Sequence, residues 1–434
     1  MLIELRVTNF RSFRETQIFS MVASSDRKLL DQTVAPAGLA RLRLNTCAVV
    51  FGANASGKSN LIEALALVRR LVLSFEEAGG WRLASLTDAD TDKYFAPFLL
   101  DETARAQPSE FEVLFVHGGV RYQYGFRIDA QVVHAEWLIA YPTGQPQRWF
   151  ERTRRADGGY DWEFRSRNFR GEKQRITEVT REDTLYMAVG PQFGLEQLLD
   201  LQRWFADLTI TFPGPLYHRN SRTSRRAAED PAFLAQLTDL LRHADVGIVD
   251  VQIEEEGART RADGEEPRPS RAAPTYEVRF AHAAAAGQPP HWLPFRAESR
   301  GTRQLFEMAY AWLTIIERGG VLVADELDTS LHPLLTRRVV ELFHDLQVNR
   351  HGAQLIFNTH DVTLLDRTLF RRDQIWFTEK DRAGATRLYP LLEFSPRNDE
   401  ALERGYLGGR YGATPYVERL VAWKDDHGAP QDEA

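Results

Sequence analysis

The sequence predicts an α/β fold with a mixed sheet core, an antiparallel β subdomain and a short helical insert. Its first support is the order between Thr46 and Leu73, where a short apolar run, a glycine-containing loop and a helical pattern follow one another. A second apolar run, VLVADE, ends in the acid pair Asp325 and Glu326. Between them, residues 110–165 carry apolar and aromatic runs broken by turn residues, the mark of an antiparallel meander.

Met1 to Val7 alternates like a strand, and Thr46 to Phe51 suits a strand buried on both faces in a parallel sheet. From Asn60 to about Leu73, Leu61, Ile62, Leu65, Val68 and Val72 recur at helical spacing. FEVLFVHGGVRYQYGFRI reads as a hairpin around Gly118-Gly119, and HAEWLIAYPTGQPQRWFE as two further strands. Residues 195–243 turn helical, in LEQLLDLQRWFADL and PAFLAQLTDLLRHA. Residues 254–274 are charged and rich in Gly, Pro and Ala without apolar periodicity, which predicts a mobile loop. Strands resume at Tyr276 to Phe280 and around Trp292. A helix over Gly301 to Arg318 then leads into VLVADE. The expected division is a first lobe over 1–195, a helical insert over 196–297 and a closing lobe over 298–434.

Composition narrows the class. The 434 residues are 43% hydrophobic and 26% charged, with a formal net charge of −7, which argues against a generally basic nucleic-acid binder. No apolar run approaches the roughly 20 residues needed to span a bilayer. Cys47 stands alone, so a disulfide framework and a cysteine metal site are both excluded. The expectation is a cytoplasmic protein with no membrane partner.

Gly52, Gly57, Lys58 and Ser59 match G-x-x-x-x-G-K-[ST] between strand and helix. Backbone N–H groups there face phosphates, Lys58 reaches the β- and γ-phosphates, and the Ser59 hydroxyl ligates Mg²⁺. Asp325 ends a strand and suits the Mg²⁺ shell, while the adjacent Glu326 suits polarisation of an attacking water. Ser299 and Gly301, in ESRGTRQLFEMAY, open an amphipathic helix whose amino end can face a phosphate, although an ordinary helix cap gives the same pattern. LDTSLHP follows with Asp328, and QLIFNTHD reads as a strand ending at His360, which can touch a γ-phosphate or the attacking water. Lys58 and Asp325 lie roughly 270 positions apart, far more than a few βα units require.

Phosphate loop, long insert, serine-glycine turn, Asp-Glu strand, Asp turn and strand-His together resemble the ABC-type P-loop ATPases of the SMC, RecF and OLD group. ESRGT keeps the serine and the second glycine of that group's signature; TNFRSF (Thr8 to Phe13) resembles its amino-terminal strand; Asn54 matches the Asn of its phosphate loop, where Ala55 replaces a frequent Gly. RRDQIWFTEKDRAGATRLYPLLEF and GYLGGRYGATP are similar to a subset of AAA-family ATP-binding proteins, many encoded beside an effector in antiphage or abortive-infection loci. The resemblance implies ATP and Mg²⁺ as cofactors, with Arg11, Asn54 and Asn60 beside the nucleotide. It implies a homodimer or higher oligomer in which Ser299 and Gly301 act in trans, Asp328 crosses the interface and His360 senses γ-phosphate. A glutamine between the lobes completes the metal shell in this group; Gln192 is the candidate, because an apolar run precedes it, and Gln123 the runner-up.

SMC-type coiled coils are absent from the insert, and the roughly 70 residues after His360 hold no Asp-x-Asp element of a nuclease. HRNSRTSRR places Arg219, Arg222, Arg225 and Arg226 on an expected loop; a solvated surface is favoured there over phosphate contact. The leading expectation is an antiphage ATPase switch working with an effector, a nuclease or toxin, in trans. The alternative is a RecF-like repair ATPase that binds DNA. A transporter subunit fits the long insert poorly.

Overall fold

The computed structural model describes residues 1–74, 95–214, 221–244, 247–256, 274–285, 288–394 and 401–414. The chain opens with β1 (Leu2–Thr8), β2 (Gln17–Ser20), β3 (Thr33–Val34) and β4 (Leu44–Asn45), then β5 (Cys47–Gly52) and helix α1 (Lys58–Val72). A short α2 (Glu102–Arg105) precedes β6 (Ser109–His117), β7 (Val120–Ile128), β8 (Val133–Tyr141), β9 (Gln147–Arg154) and β10 (Tyr160–Glu163). The middle of the chain holds α3 (Lys173–Val179), α4 (Tyr186–Val189), α5 (Glu196–Asp207), β11 (Thr209–Thr211), α6 (Arg222–Glu229) and α7 (Pro231–His243). Next come β12 (Ile248–Glu255), β13 (Tyr276–His282), β14 (His291–Pro294) and α8 (Arg300–Arg318). The last elements are β15 (Val321–Ala324), α9 (Pro333–His344), β16 (Gln354–Asn358), β17 (Ile375–Lys380), β18 (Thr386–Pro390) and α10 (Leu402–Leu407).

The central sheet runs β11-β15-β16-β5-β17-β18, parallel except for the antiparallel edge strand β18. Side chains along β5 alternate between two cores, as strand geometry requires. Ala48 and Val50 enter a core shared with α1, α5 and the antiparallel sheet, whereas Cys47, Val49 and Phe51 enter one shared with α7, α8 and α9. Both faces of β5 are therefore dry, which is why the sequence there is an unbroken apolar run rather than an alternating one.

The second sheet is antiparallel, in the order β10-β9-β8-β7-β6-β1-β2. Gln354 joins the two sheets: its amide accepts from Leu2 N at 2.6 Å and donates to Leu2 O at 3.0 Å, copying a strand partner for β1. On β8 and β9, Glu136 and Arg152 form an ion pair with both side chains fully buried. The carboxylate also takes the Tyr186 and Met187 N–H groups at the start of α4, and the guanidinium holds the Thr184 and Arg181 carbonyls. Paired and hydrogen-bonded in this way, the charges pin residues 181–187 to the sheet.

Three places differ from the sequence reading. Thr209–Thr211, inside the expected helical insert, forms β11 and pairs in parallel with β15. Arg222, Arg225 and Arg226, expected on a loop, lie instead in α6, because Ser221 caps the helix through Ser224 N and Thr223, Ser224 and Ala227 are buried. β16 ends at Asn358, two residues short of His360. The expected mobile loop lies largely outside the described residues, as does Arg219.

α6 packs on α8, where Thr223 Oγ1 donates to the Glu307 carbonyl and the Glu307 carboxyl has a buried oxygen without a partner. Burial, opposed only by the Ser221 hydroxyl, raises this carboxyl from 4.5 to about 7. The folded chain thus keeps its proton where the unfolded chain has lost it, so the stability from this group is complete below about pH 4.5 and is lost as pH rises to about 7. Glu307→Gln is expected to stabilise the protein increasingly between pH 5 and pH 8, by about 1–3 kcal/mol at the upper end. Urea denaturation at the two pH values checks this, and a variant that tracks the wild type in parallel contradicts it.

Candidate functional site

The loop after β5 takes two left-handed steps, Ala55 at φ 60° and Gly57 at φ 108°. At Gly57 a side chain is also excluded by contact, since a Cβ there would lie 2.4 Å from Thr386 Oγ1. Gly52 is closed in similarly, with a would-be Cβ 2.5 Å from both Ser56 Oγ and Thr378 Oγ1. These close approaches explain two of the motif's fixed glycines. The loop turns back over Lys58, whose ammonium donates to the Gly52 and Ala53 carbonyls at 2.9 and 3.0 Å. Burial lowers the pKa of this ammonium, against the raising pull of Glu326, Asp325 and Asp328.

At the next residue, Ser59 Oγ donates to Asp325 Oδ1 at 2.9 Å, joining residues 266 positions apart. Strand order makes this contact: β16 lies between β15 and β5, so the carboxyl ends of all three open on one edge. Asn358, ending β16, spans the gap. Its Nδ2 donates to Asp325 Oδ1 and its Oδ1 accepts the Glu326 N–H. Glu326 itself sits at φ 50°, and its carboxylate accepts from Thr329 Oγ1 at 3.0 Å. A hydroxyl and a carboxylate side by side, with a second carboxylate next in sequence, form an oxygen donor set suited to Mg²⁺ and to activating water.

The other candidates take varied positions. Arg11, at φ 51°, lies 3.7 Å from Glu63 and reaches Asn60 Oδ1 at 3.5 Å, at the amino end of α1. Asn54 is exposed on the loop. Ser299 caps α8, its Oγ accepting from Thr302 N at 3.1 Å. Gly301 sits where a Cβ would lie 2.8 Å from the Ser330 carbonyl, so the serine-glycine turn packs directly on the Asp328 turn. Asp328 Oδ1 is buried without a hydrogen-bond partner among the described residues. His360 is exposed, just past the end of β16. Gln192 is exposed on the turn Gly190–Phe193, and no hydrogen bond links it to this cluster. Gln123 is engaged within the antiparallel sheet by Glu112 and Tyr141. Arg226 is also engaged internally, with Thr314, Glu317 and the Phe233 ring.

The family described as "AAA domain, putative AbiEii toxin, Type IV TA system" matches residues 47–366. The chain belongs to this family. It therefore carries an AAA domain, built on the mixed sheet and the antiparallel sheet already described. No curated protein matches its sequence. Among solved structures, an SMC head bound to the C-terminal winged-helix domain of ScpA is similar at 12% identity, over 90% of this chain and 97% of that one, with a TM-score of 0.44. The SMC head domain from Thermotoga maritima is similar at 13% identity, over 90% and 98% respectively, with a TM-score of 0.39. No helix among the described residues is long and apolar enough to cross a membrane.

Sequence reading missed two parts of this AAA domain's site. Asn358 sits inside the quoted QLIFNTHD, but nothing in an apolar strand with one terminal amide marks that amide as a bridge. Thr378 and Thr386, on β17 and β18, reach the phosphate loop from the far end of the chain and carry no motif. Asn358→Ala is expected to lower nucleotide turnover by roughly 10- to 100-fold while ATP still binds, since it removes the support of both acids and leaves the loop intact. Steady-state hydrolysis beside equilibrium ATP binding checks this; full turnover in the variant counts against the bridge.

Proposed function

We propose that this chain binds ATP with Mg²⁺, hydrolyses it, and uses the cycle as a switch in antiphage or abortive-infection defence with an effector protein in trans. The observation that carries the reading is the Ser59–Asp325 contact at 2.9 Å, with Glu326 fixed beside it. Lys58, now satisfied by its own loop carbonyls, is the cation that neutralises the β- and γ-phosphates. The N–H groups of the glycine loop and the first turn of α1 bind phosphate oxygens. Mg²⁺ would be held by Ser59 and Asp325 and would supply charge neutralisation across the phosphates. Glu326, oriented by the Thr329 hydroxyl, accepts a proton from the attacking water. His360 at the strand end reads the γ-phosphate, Arg11, Asn54 and Asn60 flank the nucleotide, and Gln192 is carried to the metal shell by closure.

In the same reading ATP clamps two copies together, with Ser299 and Gly301 facing the partner's nucleotide. The orphan Oδ1 of Asp328 supports this arrangement, because a buried acceptor without a partner suits a donor arriving from outside the protomer. The family description, a putative toxin of a Type IV TA system, supports a role in defence. The clamp is a two-state element whose balance the γ-phosphate sets.

Glu326→Gln is expected to slow hydrolysis by roughly 100-fold or more. It should also double its solution mass with Mg-ATP, as read by light scattering after gel filtration. Lys58→Ala is expected to lose ATP binding and to keep its nucleotide-free mass. Unchanged turnover in Glu326→Gln removes that residue as the base, and a mass indifferent to ATP removes the clamp.

A further inference from the structure

Thr386 Oγ1 lies 2.7 Å from both Ser12 Oγ and the Ser56 carbonyl oxygen. A hydroxyl has one hydrogen to give, and a carbonyl oxygen can only accept. The Thr386 hydroxyl is the donor in both contacts, its one hydrogen shared between Ser56 O and Ser12 Oγ. Asn60 Nδ2 in turn donates to Ser12 Oγ at 2.6 Å. Ser12 Oγ thus accepts from both Asn60 and Thr386, and the Thr386 hydroxyl links this cluster to the Ser56 carbonyl. A hydrogen bond in a dry environment is electrostatically stronger than in water, and Ser12, Ser56 and Thr386 are all buried.

The end of the chain is what bears on chemistry. The Ser56–Gly57 peptide is trans and planar, so its N–H points opposite to its C=O. Pulling the carbonyl toward β18 turns the Gly57 N–H to the other face of the loop, away from Thr386. Ser56 is held a second time through its side chain, 2.6 Å from Thr378 Oγ1 on β17. The backbone supports the same docking, since Thr386 N donates to Ser12 O at 2.7 Å.

We infer that Thr386 is a positioning residue for the phosphate loop, acting through the Ser56 carbonyl to aim the Gly57 N–H at a bound phosphate. This rests on the nucleotide reading of the site. The inference gives β17 and β18 a part in phosphate binding that the glycine-lysine motif does not contain.

Thr386→Val keeps the shape and the β-branch and removes only the hydroxyl; Thr386→Ser keeps the hydroxyl. Calorimetric titration with Mg-ADP is expected to show roughly tenfold weaker binding for Thr386→Val and about threefold or less for Thr386→Ser. Melting temperatures without nucleotide should separate Thr386→Val from Thr386→Ser little. Wild-type affinity in Thr386→Val overturns the inference, as does a Thr386→Ser variant as weak as Thr386→Val. Lys58→Ala separates this from the underlying reading. If it binds Mg-ADP as well as the wild type, the nucleotide assignment fails, and the Gly57 amide resonance of nucleotide-free, isotope-labelled protein decides the role of Thr386. That resonance should move in Thr386→Val and stay in Thr386→Ser; an unmoved resonance in Thr386→Val overturns the inference.

Discussion

The constraint on which the rest depends is that β5 is flanked on both sides by strands from the far end of the chain. Its N–H and C=O groups are paired by β16 on one edge and β17 on the other, both parallel to it. A buried strand cannot leave either edge unpaired, so the segment carrying the phosphate loop is incomplete until residues 354–380 arrive. Asp325 meets Ser59 because β15 then has one place left to dock, beside β16. A fold closed in this way has many non-local pairings, the topology that folds slowly. It also means that no amino-terminal fragment ending before β15 can assemble the acid side of the site.

Legibility in the sequence followed how local each determinant is. The strand, loop and helix at Cys47–Val72 could be read because glycine steps, apolar run and helical period are all written in adjacent residues. The meander of β6 to β10 was readable for the same reason: Gly118 and Gly119, both at positive φ, make its first turn. β11 was not, because three residues between two helical patterns carry no period, and only the vacancy beside β15 makes them a strand. α6 was misread since its arginines hide a buried stripe of small residues. For Asn358, Thr378 and Thr386 the signal is absent in principle: each is one polar side chain whose meaning lies in a partner up to 374 positions away.

The same contacts describe a site that satisfies itself. Lys58 rests on the loop carbonyls, Ser59 on Asp325, and Asp325 also on Asn358. Charged groups taken partly out of water need such surrogates, because burying them bare costs far more than any one bond returns. A ligand that takes Lys58 and Ser59 must therefore displace bonds already made. Its affinity is a difference between two sets of contacts, and that difference is a natural place for a switch to be set. The backbone of the loop is the part that need not change, which is where the Thr386 hydroxyl acts.

Glu326 gives this argument its sharpest form. A β-carbon-bearing residue at φ 50° stores about 1–3 kcal/mol of backbone strain, and here three bonds hold it. The Asn358 amide accepts its N–H, Thr329 N donates to its carbonyl, and Thr329 Oγ1 donates to its carboxylate. Without that strain the chain after Ala324 would continue along the strand direction, and the Glu326 side chain would fall on a sheet face instead of at the strand end. Asn358 also holds Asp325, so one amide sets the separation between the metal-type acid and the base-type acid. The two carboxylates belong to adjacent residues, yet their relative placement is decided from the neighbouring strand. Any motion that shifts the end of β16 against the end of β15 moves both acids together, and the turn bearing Asp328 with them. In the proposed nucleotide reading, that mechanical coupling, from one amide to the acids and the adjoining turn, is the route from a bound phosphate to the place where Gly301 packs against Ser330.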